Sequence, residues 1–256
     1  MDVKQMIVIP IYWGEWWLPV RNNAYSWIEL NGLLTTIIGG RYMDGLNQYG
    51  FGRGSVAGEY VFQEDPPATG FGDTKQKWMF KTAIDEGHVP RPDDYDLATQ
   101  QPFYALMVKP GVEHLRDASA DGKVPQDAPD VGTGAYHFGF SYDLGGGKSW
   151  GGQACWVKSG PTAVETLGRL VHEMAEAYSG HAEISDRCQA EGPALVDGVP
   201  VPRYWSEADN ECWPPSDRDL TVQEALAEEP PRIGDLRLEP VQEGFVDEGP
   251  HTHLSH

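Results

Sequence analysis

Residues 6 to 12, MIVIPIY, form a mostly β-branched apolar run that ends before Trp13-Gly14, the pattern of a buried first strand. Residues 24 to 38, AYSWIELNGLLTTII, place Trp27, Leu30, Leu34 and Ile37 or Ile38 near helical spacing, and Gly39-Gly40 stops the predicted helix. RYMDGLNQYGFGRG then reads as a short helix running into a Gly-rich loop. VAGEYVF, residues 56 to 62, alternates like a strand, and EDPPATGFGD is a turn region. Trp78, Met79, Thr82 and Ile84 predict a helix from Lys75 to Glu86, closed by Gly87. FYALMVKP, from Phe103, predicts a central strand stopped by Pro110-Gly111, and the polar segment 112 to 132 predicts a surface loop. GAYHFGFSYD and GGQACWVKS predict neighbouring strands across a Gly-rich hairpin.

The best-specified element follows. Thr162 and Glu165 have capping-box spacing just after Pro161. Val164, Leu167, Leu170, Val171, Met174 and Tyr178 then recur at steps of three and four, one apolar stripe along a helix that Gly180 is placed to stop. After about Pro214 the chain turns Glu- and Pro-rich, which predicts a weakly structured extension or a wrapping arm. The expected organisation is one α+β domain over residues 1–214 and an acidic extension over 215–256, without internal repeats.

Composition narrows the function classes. The chain has 256 residues and a formal net charge of −20, so naked nucleic acid is an unfavourable partner, because phosphate binding needs clustered Lys and Arg. No apolar run approaches the roughly 20 residues of a membrane span. The opening MDVKQMIVIPIYWGEWW lacks a basic n-region and a small-residue cleavage site, so no signal peptide is expected in this sequence. Cys155, Cys188 and Cys212 have no Cys-x-x-Cys spacing, which disfavours a zinc ribbon; one disulfide plus one thiol fits, and so does a reduced set. Ser149, Ser159 and Ser206 lie outside any Gly-x-Ser-x-Gly elbow, which disfavours a serine hydrolase. Cys155 reads as a buried strand cysteine, and the Asp93, Asp94, Asp96 cluster lacks the Gly and distal Glu of a calcium-binding hand.

The candidate chemistry lies in LVHEMAEAYSGH, residues 170 to 181. His172 and Glu176 are four apart on the predicted helix, hence one turn from each other on one face, with Glu173 flanking them. This is the spacing by which His-Glu-x-x-His helices hold zinc and aim a carboxylate at its water, with Glu replacing the second His. Glu173 is then the candidate general base. A carboxylate ligand makes a harder site, more tolerant of calcium or manganese. The segment HAEISDRC offers His181, Glu183 and Asp186 as further ligands. Glu173, Glu176, Glu183 and Asp186 crowd a helix C-terminus and the turn beyond it, where each anion costs about 0.3–1 kcal/mol, and a bound cation reverses that sign. Against this stands a plain solvated acidic helix face. His137 alternates with Tyr136 and Phe138, so it faces the other way from both, as a ligand, an oxyanion stabiliser or a satisfied core histidine.

HEMAEAYSG, EISDRC and YWSEADNEC together resemble the core of the phosphate-induced protein family, the plant exordium-like proteins and their bacterial relatives. IPIYWGEWW looks like the opening strand of that family, GRYMDGLNQYGFGRGSVAG like its next segment, and GAYHFGF like its His-bearing strand, so the likeness spans roughly residues 7 to 213. It implies an extracellular or cell-wall-facing protein with a zincin-like core, a twisted mixed sheet beside an active-site helix with long loops, and a bond between Cys188 and Cys212. Glu207 after Ser206, and Ser179-Gly180-His181 after the helix, depart from the family pattern.

The combined expectation is a zinc-dependent hydrolase, a peptidase acting on peptide, protein or cell-wall material. His172, Glu176 and Asp186 hold the metal, Glu173 is the base, and His137, His181 and Glu183 stand in the second line. The alternative is a secreted exordium-like binding or signalling protein with a structural metal site, in which the aromatics of YWGEWW stack on saccharide. A degenerate core without metal is the third possibility.

Overall fold

A computed structural model describes residues 3–21, 23–68, 70–115, 134–179 and 184–215, with only the backbone given for Asp186 and Gln189. The expectations for Gly180, His181, Glu183, the side chain of Asp186, most of the 112–132 loop and the extension from 216 onward lie outside the described residues.

The opening apolar run is β1 (Lys4–Trp13), buried on both faces from Met6 onward. Such two-sided burial belongs to a strand inside a parallel sheet covered by helices. After α1 (Trp27–Gly39) come β2 (Phe51–Val56) and β3 (Tyr60–Phe62), then α2 (Asp73–Asp85), β4 (Gln100–Val108), β5 (Ala135–Gly145), β6 (Lys148–Lys158) and α3 (Ala163–Ser179). The main sheet runs β2-β1-β4-β6-β5, with β3 also paired to β1. β1, β2, β3, β4 and β6 are parallel, and β5 alone runs antiparallel, on the outside of β6. The protein is therefore mixed α+β around a mixed sheet. α1 and α3 cover one face through Val8, Tyr12, Phe103, Leu34, Leu167 and Leu170. α2 covers the other through Ile9, Ile11, Phe80, Tyr104, Phe140 and Trp156.

Two expectations are corrected. The alternating stretch 56–62 is two strands with a break between them. Val8 O accepts from Ala57 N, so Pro10, two residues further along β1, faces the same neighbour and has no N–H to offer it. The ladder on that side resumes only at Ile11 with Tyr60, while the opposite side stays continuous with β4. The Gly-rich segment expected to be a loop contains β2 itself. A Cβ on Gly54 would lie 1.7 Å from Met6 O, so the irregular register between Gln5 and Ile7 needs a residue without a side chain there.

Local capping also differs from the reading. Thr162 Oγ1 accepts from Glu165 N at 3.1 Å, but the Glu165 carboxylate turns to Arg169 at 2.8 Å, so half of the expected box forms. A reciprocal capping box is made instead at the start of α1 by Ser26 and Glu29. Beyond α3 the chain makes a short 3-10 turn (Asp186–Glu191) and two hairpins, β7 (Ala194–Val196) with β8 (Val199–Val201) and β9 (Tyr204–Ser206) with β10 (Glu211–Trp213). Cys188 and Cys212 form a disulfide that ties the 3-10 turn to the last hairpin, and Cys155 is a buried free thiol.

Candidate metal centre

Edge strand β5 and helix α3 build the site together. The apolar stripe of α3 packs Leu167, Leu170, Val171 and Met174 into the core. Tyr178 fixes the C-terminal end, its hydroxyl donating to Pro102 O at 3.3 Å and its ring 4.4 Å from that of Phe51. This anchoring leaves Glu173 and Glu176 on the side turned toward β5, with His172 beside Glu176. On β5 the pleat sends Ala135 into the same core as α3, while Phe138, Phe140 and Tyr142 pack on the α2 side. His137 follows Ala135 and reaches α3, where its Nδ1 lies 3.0 Å from Glu173 Oε2.

One ligand atom each from His137, Glu173 and Glu176 fall within 4.8 Å of one another. On the flank, His172 Nε2 lies 3.3 Å from Glu176 Oε1. The expected one-turn stacking of His172 and Glu176 is thus seen as a direct contact, and among the described residues the trio able to hold a metal is His137, Glu173 and Glu176, while the Asp186 side chain of the expected set lies outside the described residues. Glu173, read from spacing as a flanking base, lies inside the cluster because it is one turn from Glu176 and because β5 delivers an imidazole to it. Ser185 Oγ donates to His172 O at 3.4 Å, which brings the chain just before Asp186 back to the helix.

The electrostatics of this cluster are demanding. Both carboxylate side chains are only 10% exposed. Two neighbouring buried carboxylates repel each other and lose hydration, so they need positive charge or hydrogen bonds in compensation. Glu176 shows the balance: burial pushes its carboxyl up, but the His172 contact, the charges of His172 and His137 and the Ser185 N–H outweigh it, and the net shift is downward. Yet Glu176 Oε1 is fully buried and accepts no aligned hydrogen bond. Behind the cluster, Cys155 is the direct cross-strand partner of His137. Burial, and then the Glu173 charge, push its thiol well above the usual range, so it is a neutral wall rather than a thiolate.

The donor set fits a divalent cation of the zinc or manganese type: one imidazole and two carboxylates. Two ligands at zinc distance and tetrahedral angle are about 3.4 Å apart, close to the observed approach of His137 to Glu173. The imidazoles of His137 and His172 are 27% and 24% exposed, so the cluster is open to solvent on one side. No family model, curated protein or solved structure matches the chain.

Proposed function

We propose that this protein is a metal-dependent hydrolase, with a zinc ion held between β5 and α3 and a peptide bond as the bond cleaved. The observation that carries the reading is the convergence of two buried carboxylates, Glu173 and Glu176, on the His137 imidazole, with one ligand atom from each within 4.8 Å of the others. Such an ion supplies Lewis acidity and lowers the pKa of a bound water to about 7. His137 and Glu176 anchor it from the two elements. Glu173, in contact with His137, would receive the proton, and His172 would hold the Glu176 carboxylate in place. The antiparallel edge strand beside the helix is what a zincin-like arrangement requires, and kinship with exordium-like proteins, with a secreted location, belongs to the same proposal. The test is zinc content together with peptide cleavage for Glu173→Gln: zinc retained and cleavage lost supports the assignment, whereas full cleavage refutes it.

A second reading has its own support. The two short His–Glu approaches, 3.0 and 3.3 Å, can neutralise the carboxylates without water or substrate taking part. The cluster is then a structural centre in a binding protein. Four protein ligands with no water, and saccharide binding that survives chelation, would favour it over catalysis.

A further inference from the structure

Between α2 and the edge strand β5 lies a groove of about 410 Å³ lined by Lys77, Trp78, Lys81, Gly139, Phe140 and Ser141. It is on the opposite side of β5 from the metal cluster, since Phe138 and Phe140 pack toward α2 whereas His137 meets Glu173 of α3. β5 ends the sheet, and among the described residues its backbone pairs with β6 alone. An unpaired edge of this kind is a template for an added strand.

The side chains around the groove say what kind of strand suits it. Trp78 is 48% exposed, an unusual position for so large an apolar ring, and Lys75 Nζ stands 3.6 Å over its centre. Lys81 pairs with Asp85 at 2.9 Å, and Lys77 extends toward the Phe138 ring. Among the described residues neither Lys75 nor Lys77 is ion-paired to a carboxylate, in a chain with 39 acidic and 19 basic residues. Most of this surface repels an acidic segment, whereas this edge attracts one.

We propose that the groove docks an extended acidic peptide segment of a partner protein. The segment adds to β5 as a strand, sets carboxylates against Lys77 and its neighbours, and lays an apolar side chain on Trp78 and Phe140. The groove shares no lining residue with the metal cluster. A fluorescein-labelled peptide of alternating Glu and Val, followed by fluorescence anisotropy, is the probe. Saturable binding is expected, weakened about tenfold or more by Lys77→Glu with Lys81→Glu and suppressed at about 0.5 M salt. Trp78→Ala, a surface change checked by circular dichroism, should weaken it as well. Binding should persist with chelator and in His137→Ala, so its fate is separate from that of the metal reading. The proposal is overturned if binding is not saturable, if the lysine substitutions leave it unchanged, or if a Lys-Val peptide binds as tightly. Equal binding of a probe N-methylated at alternate backbone amides overturns it too, because strand addition needs those N–H groups.

Discussion

His137 Nδ1 and Glu173 Oε2 meet at 3.0 Å across the seam between an edge strand and a helix, although 36 residues separate them in sequence. This contact makes His137 and Glu173 distinguishable by substitution. His137→Ala removes a proposed ligand from a partly exposed strand position, so the fold should persist while zinc affinity falls by more than about 100-fold, beyond the usual loss from an outer-shell change. Glu173→Gln should retain zinc and lose peptide turnover. Competition with a zinc-sensitive dye and cleavage of a fluorogenic peptide library measure the two effects. The assignment of roles fails if both variants lose metal equally.

A cation that binds only the folded chain must also stabilise it. Free zinc at 100 times its dissociation constant should contribute about 2.7 kcal/mol. For a chain of this size that corresponds to a rise in melting temperature of about 5–10 °C. Calorimetry with zinc and with chelator should show that difference in the native sequence and none in His137→Ala.

The Cys188–Cys212 bond closes a loop with a sequence separation of 24. Chain entropy gives such a loop a stabilisation of about 3–4 kcal/mol. Urea unfolding of the Cys188→Ala, Cys212→Ala double variant should show a loss near that size. A loss well below 1 kcal/mol would mean that the last hairpin is held by its packing and not by the bond.

Alkaline pH probes the α2 side. Burial, then the Asp85 charge and hydrogen bond, push the Tyr142 phenol up to about 12. Burial, then Asp94, does the same for Tyr95. A raised phenol favours the folded state fully below about pH 10, the unfolded value, and that stability is lost as pH rises toward 12. Urea midpoints should therefore fall between pH 10 and 12, and the decline should be shallower in Tyr142→Phe. An identical slope in that variant would place the titration elsewhere.

Sequence periodicity revealed β1, α3 and the β5–β6 hairpin because each buries a face whose spacing is fixed by its own geometry. It did not reveal β2, because the glycines that suggest a loop are there to let the backbone pass close to Met6. It did not reveal the gap opposite Pro10, which depends on which neighbour that residue faces. At the site, the one-turn relation of His172 to Glu176 and the facing of His137 away from Phe138 were both legible locally. That His137 lands on Glu173 was not, because it depends on how α3 crosses the sheet.

The most direct measurement is the zinc stoichiometry of protein purified without an added tag, by elemental mass spectrometry, for the native sequence and for His137→Ala combined with Glu176→Gln. One ion per native chain, and none in the double variant, is the predicted result. A metal-free native chain, or an ion that survives loss of both ligands, such as one held by His251, His253 and His256, would contradict it.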